Sequence, residues 1–149
     1  MRWSVVLGVL LFAFCLSAHA ATGKIAKVLP HWLDLQGRHT LHPSLYERDA
    51  YQAHLRKHPA ECSALRFDVR WKADKTGSIP ITLRIEMRGS REPKPFIVES
   101  KLDRRPWYKR WTSLKLEGED FKKAGEITAW RASLWQGDQL LAEQKSFLW

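Results

Sequence analysis

Residues 65–72 of the chain read LRFDVRWK, and this stretch decides the fold class. Apolar and polar residues alternate strictly along it. A β-strand places successive side chains on opposite faces of a sheet, so a period of two indicates a half-buried strand. Residues 81–88, ITLRIEMR, alternate in the same way after a turn at 76–78. We expect these two strands to be adjacent, with Asp68 and Glu86 forming cross-strand ion pairs with neighbouring arginines.

Five further segments have extended character: residues 24–35, 96–102, 111–116, 127–135 and 140–148. Pro30 predicts that the first is an edge strand, because its missing N–H can face solvent. Gly137-Asp138 predicts a final hairpin over residues 126–148. About seven short strands argue for an all-β antiparallel β-sandwich. Over residues 64–148 the pattern resembles the immunoglobulin or fibronectin type III class, and this resemblance implies architecture only.

Residues 44–57 follow a helical period instead. Ser44 and Glu47 resemble a capping box, in which each side chain bonds the other's backbone N–H, and Pro59 ends the element. We expect one short helix, inserted over residues 44–58 between the first two strands of a single domain spanning residues 21–149. The predicted inner face of this helix consists of Leu45, Ala50, Tyr51, His54 and Leu55.

The first 20 residues have the pattern of a secretory signal peptide. A positive start at Met1-Arg2 precedes an apolar run that ends at Leu16, and Ala18-His19-Ala20 offers small residues for cleavage before Ala21. The apolar run is shorter than the roughly 20 residues that span a bilayer. We therefore predict an exported protein, periplasmic or extracellular, with no transmembrane segment in its mature chain.

Cleavage would also change the cysteine count. The chain has two cysteines, and Cys15 would leave with the signal peptide. Cys62 would then be a single thiol that is either buried and inert or paired between chains. The neighbouring carboxylate of Glu61 disfavours a thiolate, so a catalytic role for Cys62 is not expected.

The net charge of the full chain is +9, and residues 104–111 read RRPWYKRW. Interleaved cations and aromatic rings can bind anionic groups. Export favours an anionic envelope lipid, an acidic polysaccharide or an acidic protein as the partner, and no nucleic acid is expected. The alternative is a solvated loop that leads into a strand, with Trp111 in the core. The predicted partner-binding residues are Arg104, Arg105, Trp107, Tyr108, Lys109 and Arg110.

Histidines cluster in residues 31–58 and suggest a second kind of site. His54 and His58 are four residues apart on the predicted helix, so their rings would share one face. His39 or His42 from the preceding loop could supply a third ligand for zinc or copper. The alternative is that these histidines belong to an ordinary polar helix face, with no cofactor.

Enzyme motifs are weak in this sequence, and the tryptophans divide into two groups. Alternation places Trp71 and Trp130 in the core, whereas Trp32, Trp107 and Trp135 are better placed for surface stacking. Our first interpretation is a small non-catalytic binding or structural module of the cell envelope. A periplasmic metal-binding protein is the second, and a small hydrolase is the third.

Overall fold

The structure is a computed structural model that describes residues 22–73, 79–102 and 111–149. Its strands form two antiparallel sheets, ordered β1-β2-β5 and β4-β3-β6-β7. The all-β sandwich is therefore confirmed, while the immunoglobulin or fibronectin type III resemblance stays a prediction. The strands are β1 (Gly23–Asp34), β2 (Cys62–Ala73), β3 (Ile81–Gly89), β4 (Phe96–Leu102), β5 (Trp111–Glu117), β6 (Ile127–Gln136) and β7 (Gln139–Lys145).

Two short helices connect strands. The helix α1 (Leu45–Lys57) lies between β1 and β2, as predicted, and a 3₁₀ turn (Pro59–Glu61) follows it. The helix α2 (Gly118–Ala124) joins β5 to β6. Among the residues that the structure describes, no helix is long and apolar enough to span a membrane.

The packing of α1 differs from the prediction. Leu45 is 67% exposed, and the buried residues of the helix are Gln52 and Leu55. The amide of Gln52 accepts a hydrogen bond from the Trp32 N–H at 2.8 Å and donates to the Trp32 carbonyl oxygen at 2.9 Å. The helix is thus attached to β1 by the polar side chain of Gln52 as well as by Leu55. A pattern of apolar positions does not reveal the contact made by Gln52.

The predicted capping box at the start of α1 is also wrong. The Ser44 side chain makes no capping hydrogen bond. A carboxylate oxygen of Glu47 lies 2.8 Å from Nδ1 of His42 instead. The loop before the helix therefore supplies the partner of Glu47 in place of the backbone of Ser44.

The core lies between the sheets and follows the alternation of the sequence. The inner residues of β2 and β3 are all less than 9% exposed, and Phe67 and Leu83 are fully buried. Trp130 packs against this core from β6. The core residues of the two central strands are Leu65, Phe67, Val69 and Trp71 of β2, and Ile81, Leu83, Ile85 and Met87 of β3.

The expected pairing of β2 with β3 is wrong, although Glu86 does form the expected cross-strand ion pair with an arginine. The strands β2 and β3 belong to different sheets, so Asp68 and Glu86 have no shared row. Asp68 pairs with Arg66 of its own strand, and Glu86 pairs with Arg131 of β6. Trp111 lies opposite Arg70 and is 39% exposed rather than in the core, because the register of β5 turns its side chain away from the opposite sheet.

Candidate functional site

The outer face of the β1-β2-β5 sheet collects cations from three strands. Directly opposed residues of antiparallel strands point to the same face. Lys24 is opposite Lys72, and Lys27 is opposite Arg70. Each of these side chains is exposed. We call this surface the basic face, and its members are Lys24, Lys27, Arg70, Lys72, Trp111 and Lys115.

The cations of the basic face have no anionic partners among residues 22–73, 79–102 and 111–149. No ion pair there involves any of its four lysines or Arg70. Like charges directly opposite each other on a sheet are destabilising. The pairing of Lys24 with Lys72, and of Lys27 with Arg70, therefore lowers the stability of the isolated protein.

Asp68 places one carboxylate in the middle of this sheet face, and neighbouring side chains form hydrogen bonds with that carboxylate. His31 Nδ1 is 3.0 Å from its Oδ2, Arg66 donates to Oδ2 at 2.9 Å, and the Ser113 hydroxyl donates to Oδ1 at 2.5 Å. Burial acts to raise the pKa of Asp68, but these hydrogen bonds and the charge of Arg66 hold that pKa well below its usual range. The negative charge of Asp68 is balanced by its immediate neighbours and therefore does not neutralise the cations of the basic face.

Apolar side chains are interspersed with the cations. Trp111 and Leu29 are each 39% exposed, and Leu29 lies opposite Asp68. The surface can therefore combine ionic contacts with contacts to rings or hydrocarbon. The predicted partner-binding segment directly precedes Trp111 in the sequence, and its residues lie outside those the structure describes: Arg104, Arg105, Trp107, Tyr108, Lys109 and Arg110.

The outer face of the β4-β3-β6-β7 sheet has a different arrangement, and we call it the paired face. Arg131 lies 2.6 Å from Glu86 and 4.0 Å from Glu143. The C-terminal Trp149 covers Arg131 and Arg88, with guanidinium carbons 5.1 and 4.4 Å from the ring centroid. On this face most guanidinium groups are already occupied by carboxylates and rings.

Arginine guanidinium groups also lie over the rings of the two described tryptophans that were predicted to stack on a ligand. Arg84 lies 5.4 Å over the Trp135 ring and also pairs with Glu99. Arg56 lies 4.6 Å over Trp32. Trp107, the third of these tryptophans, lies outside the described residues. Trp111, which the alternative interpretation of residues 104–111 placed in the core, is 39% exposed and lies beside the cations of the basic face.

The histidines predicted as metal ligands lie in three places, and His42 pairs with Glu47 at the start of α1. His54 Nε2 lies 2.7 Å from Oε2 of Glu61, and the His54 and His58 ring centroids are 4.1 Å apart. His39 lies elsewhere, 3.4 Å from Arg66 and in ring contact with His31, where burial and the charge of Arg66 lower its pKa. The structure thus brings together two of the four predicted metal ligands, and Glu61 joins them.

Glu61 was not among the metal ligands predicted from the sequence. The helix α1 ends at Lys57, and Glu61 belongs to the 3₁₀ turn that begins at Pro59, so helical spacing alone could not place it beside His54. Within the described residues, His54, His58 and Glu61 are the group whose ligand atoms all lie within 4.8 Å of one another.

Groups that resemble hydrolase machinery have the wrong arrangement in the described part of the chain. Ser113 and His31 both bond to Asp68, so the carboxylate lies between serine and imidazole, whereas a Ser-His-Asp triad needs the imidazole in the middle. Cys62 is buried, and its thiol donates to the Leu55 carbonyl at 3.3 Å. Burial and the charge of Glu61 raise the pKa of Cys62, which opposes a nucleophilic role.

A cavity of about 430 Å³ lies against Trp32, Phe121 and Trp130. Its charged lining residues are Arg56, which stacks on Trp32, and Glu126. The described lining contains no cysteine or histidine. This cavity offers aromatic contacts, and its polar lining also includes Thr128 and Ser146.

The chain matches none of the protein-family models, curated proteins and solved structures with which it was compared. The basic face and the His54, His58 and Glu61 cluster are the two arrangements whose chemistry points to a ligand. The basic face points to anions because its charges are exposed and have no anionic partner within residues 22–73, 79–102 and 111–149. The cluster points to a metal ion because imidazole and carboxylate are metal ligands.

Proposed function

We propose that this chain is an exported, non-catalytic binding module whose basic face binds an anionic lipid surface. The observation that carries the proposal is the set of exposed lysines and arginine on one sheet face, unpaired within the described residues and adjacent to Trp111. Opposed like charges cost stability in the free protein. An anionic surface would remove that cost, so binding and stability are linked through the same residues. Export is part of the proposal and is supported by the pattern of residues 1–20.

A lipid surface fits this face better than a folded protein or a polysaccharide chain. The cations are spread over three strands of one sheet, which matches a broad layer of headgroups. Each lysine or arginine near an anionic membrane surface contributes about 1 kcal/mol of binding free energy. Tryptophan is favoured at membrane interfaces because it joins an apolar ring to a polar N–H. Residues 104–110 have the same composition, and we expect them to contribute to the same contact.

The test is sedimentation of the mature chain, residues 21–149, with vesicles of phosphatidylglycerol and phosphatidylcholine, against vesicles of phosphatidylcholine alone. We expect salt-sensitive binding to the anionic vesicles only. The double variant Lys27→Glu/Lys72→Glu should bind at least about 30-fold more weakly, because the loss of two cations removes about 2 kcal/mol and the new carboxylates are repelled by the anionic surface.

The matched control is Lys101→Glu/Lys145→Glu, which makes the same change in net charge on the paired face. Both lysines are exposed. We expect less than about a threefold effect, since these residues lie on the opposite sheet. Equal weakening by both double variants would show that overall charge, rather than the basic face, governs binding. Retention on an acidic polysaccharide or an acidic protein, without vesicle binding, would replace lipid as the partner.

A further inference from the structure

We propose that His54, His58 and Glu61 form a surface site for one Zn²⁺ or Cu²⁺ ion at the end of α1. The inference uses residues outside the basic face, and it stands or falls independently of lipid binding. It also replaces a histidine by Glu61 as the third ligand. The site would supply two imidazole nitrogens and one carboxylate oxygen and leave a fourth position open to water.

The local fold explains why the three side chains meet. His54 and His58 are separated by one helical turn, so their rings project from the same side and stack at 4.1 Å. Pro59 begins the 3₁₀ turn, and the Glu61 N–H donates to the His58 carbonyl at 2.9 Å. That tight turn returns Glu61 to the side of the helix where His54 lies.

A backbone hydrogen bond prepares His58 as a ligand. Its Nδ1 lies 2.8 Å from the carbonyl oxygen of His54. A carbonyl oxygen can only accept, so Nδ1 carries the proton and the lone pair is on Nε2. Metal-binding histidines are commonly held in this way, with the second ring nitrogen donating to a carbonyl or carboxylate.

The contact between His54 and Glu61 has nearly the spacing of two ligands on one ion. The Nε2 and Oε2 atoms are 2.7 Å apart. In a tetrahedral site with bonds of about 2.0 Å, neighbouring ligand atoms lie about 3.3 Å apart. An ion would take the place of the shared proton after a shift of about 0.6 Å. Both side chains are about half exposed, so rotation of their outer torsions allows this shift.

The two ions should differ in affinity. Imidazole suits both zinc and copper, and the order of stability for divalent ions places Cu²⁺ above Zn²⁺ at nitrogen and oxygen ligands.

The nearby guanidinium of Arg56 is held over Trp32, 4.6 Å from the ring centroid. That contact gives Arg56 a partner other than Glu61.

The experiment is calorimetric titration of the full, untagged chain with ZnCl₂ and with CuCl₂. We expect one ion per chain, with Cu²⁺ bound more tightly. His54→Ala/His58→Ala should abolish this binding, and Glu61→Gln should weaken it at least tenfold. The electron paramagnetic resonance spectrum of the Cu²⁺ form should show coupling to two imidazole nitrogens.

The control variant is His39→Ala/His42→Ala, which removes the histidines placed elsewhere in the fold. It should bind both ions as the parent chain does. Loss of binding in this control would overturn Glu61 as the third ligand, and unchanged binding in His54→Ala/His58→Ala would overturn the site. Circular dichroism checks the fold of each variant. If the double histidine variant unfolds, Glu61→Gln decides the matter, because full-affinity binding without the carboxylate contradicts the proposal.

Discussion

The two outer faces of the sandwich both carry lysines and arginines, yet the contacts of these side chains differ between the two faces. On the paired face, Arg131 contacts Glu86 and Glu143, and Trp149 lies over the guanidinium. On the basic face, Lys27 lies opposite Arg70 and neither has an anionic partner among the described residues. The paired face is organised for internal stability. The basic face places like charges opposite each other with no anionic partner among the described residues, which is expected to cost stability.

Replacement of Asp68 is the strongest test of this difference, because Asp68 is the carboxylate that forms ion pairs and hydrogen bonds within the sheet of the basic face. Asp68→Asn removes the charge that His31, Arg66 and Ser113 share. We expect a loss of about 3 kcal/mol in the free energy of unfolding, since a partly buried Arg66 loses its counter-ion. Urea denaturation measures this loss.

The same variant should bind anionic vesicles more tightly. Releasing Arg66 adds one cation to the basic face, and one cation is worth about 1 kcal/mol, or about fivefold in affinity. The comparison variant is Glu86→Gln on the paired face, which frees Arg131 on the opposite sheet. Tighter binding by Glu86→Gln than by Asp68→Asn would contradict the assignment of binding to the basic face.

Acid should weaken the sheet that carries the basic face. Burial acts to raise the pKa of Asp34, but hydrogen bonds from Arg38, Tyr51 and Gln36 outweigh it and lower the pKa to about 2. A lowered pKa stabilises the folded state above the unfolded value of about 4, and that contribution is lost as pH falls from about 4 to 2. The expected loss is about 2 kcal/mol for Asp34, and Asp68 adds to it in the same direction.

Hydrogen exchange at pH 3 and pH 6 locates this effect. After correction for the intrinsic rates, the amides of β1 and β2 should lose protection at pH 3. Asp34→Asn should reduce the pH dependence, because a neutral side chain has no proton to gain. A pH-independent stability between pH 2 and 6 would refute the assigned direction of the Asp34 pKa.

The smallest expected effect is a gain in stability. Lys27→Glu places a carboxylate opposite Arg70, and Lys72→Glu places one opposite Lys24. Each opposed pair changes from like to unlike charge and should contribute about 0.2–1 kcal/mol. The double variant should therefore unfold at a higher urea concentration while it loses vesicle binding. Loss of stability in this variant would mean that the lysines have favourable partners in the folded chain.

Several features of the fold could be predicted from local sequence. The alternation in residues 65–72 and 81–88 determines which side chains of β2 and β3 are buried, because the two-residue period is a property of the strand itself. Helical spacing places His54 and His58 together for the same reason. Pro30 marks β1 as an edge strand, and in the structure β1 pairs with β2 alone.

Other features depend on contacts between distant residues. The adjacency of β2 and β3 was mispredicted, and with it the strand that supplies the partner of Glu86, because the alternation of a strand does not say which strands are its neighbours. The exposure of Trp111 depends on the register between β5 and β2, and residues 104–110 remain a sequence prediction. The position of Glu61 beside His54 and His58 depends on the 3₁₀ turn that begins at Pro59.

The sequence by itself determined the fold class, the charge and the candidate residue types, since composition and periodicity are carried by neighbouring residues. Only the tertiary structure decided which charges lie together unpaired. Lys24 and Lys72 are far apart in the chain and become directly opposed through the register of β1 on β2. Strand order and register arise from packing of the whole core, so a surface assembled from three strands cannot be read from any one of them.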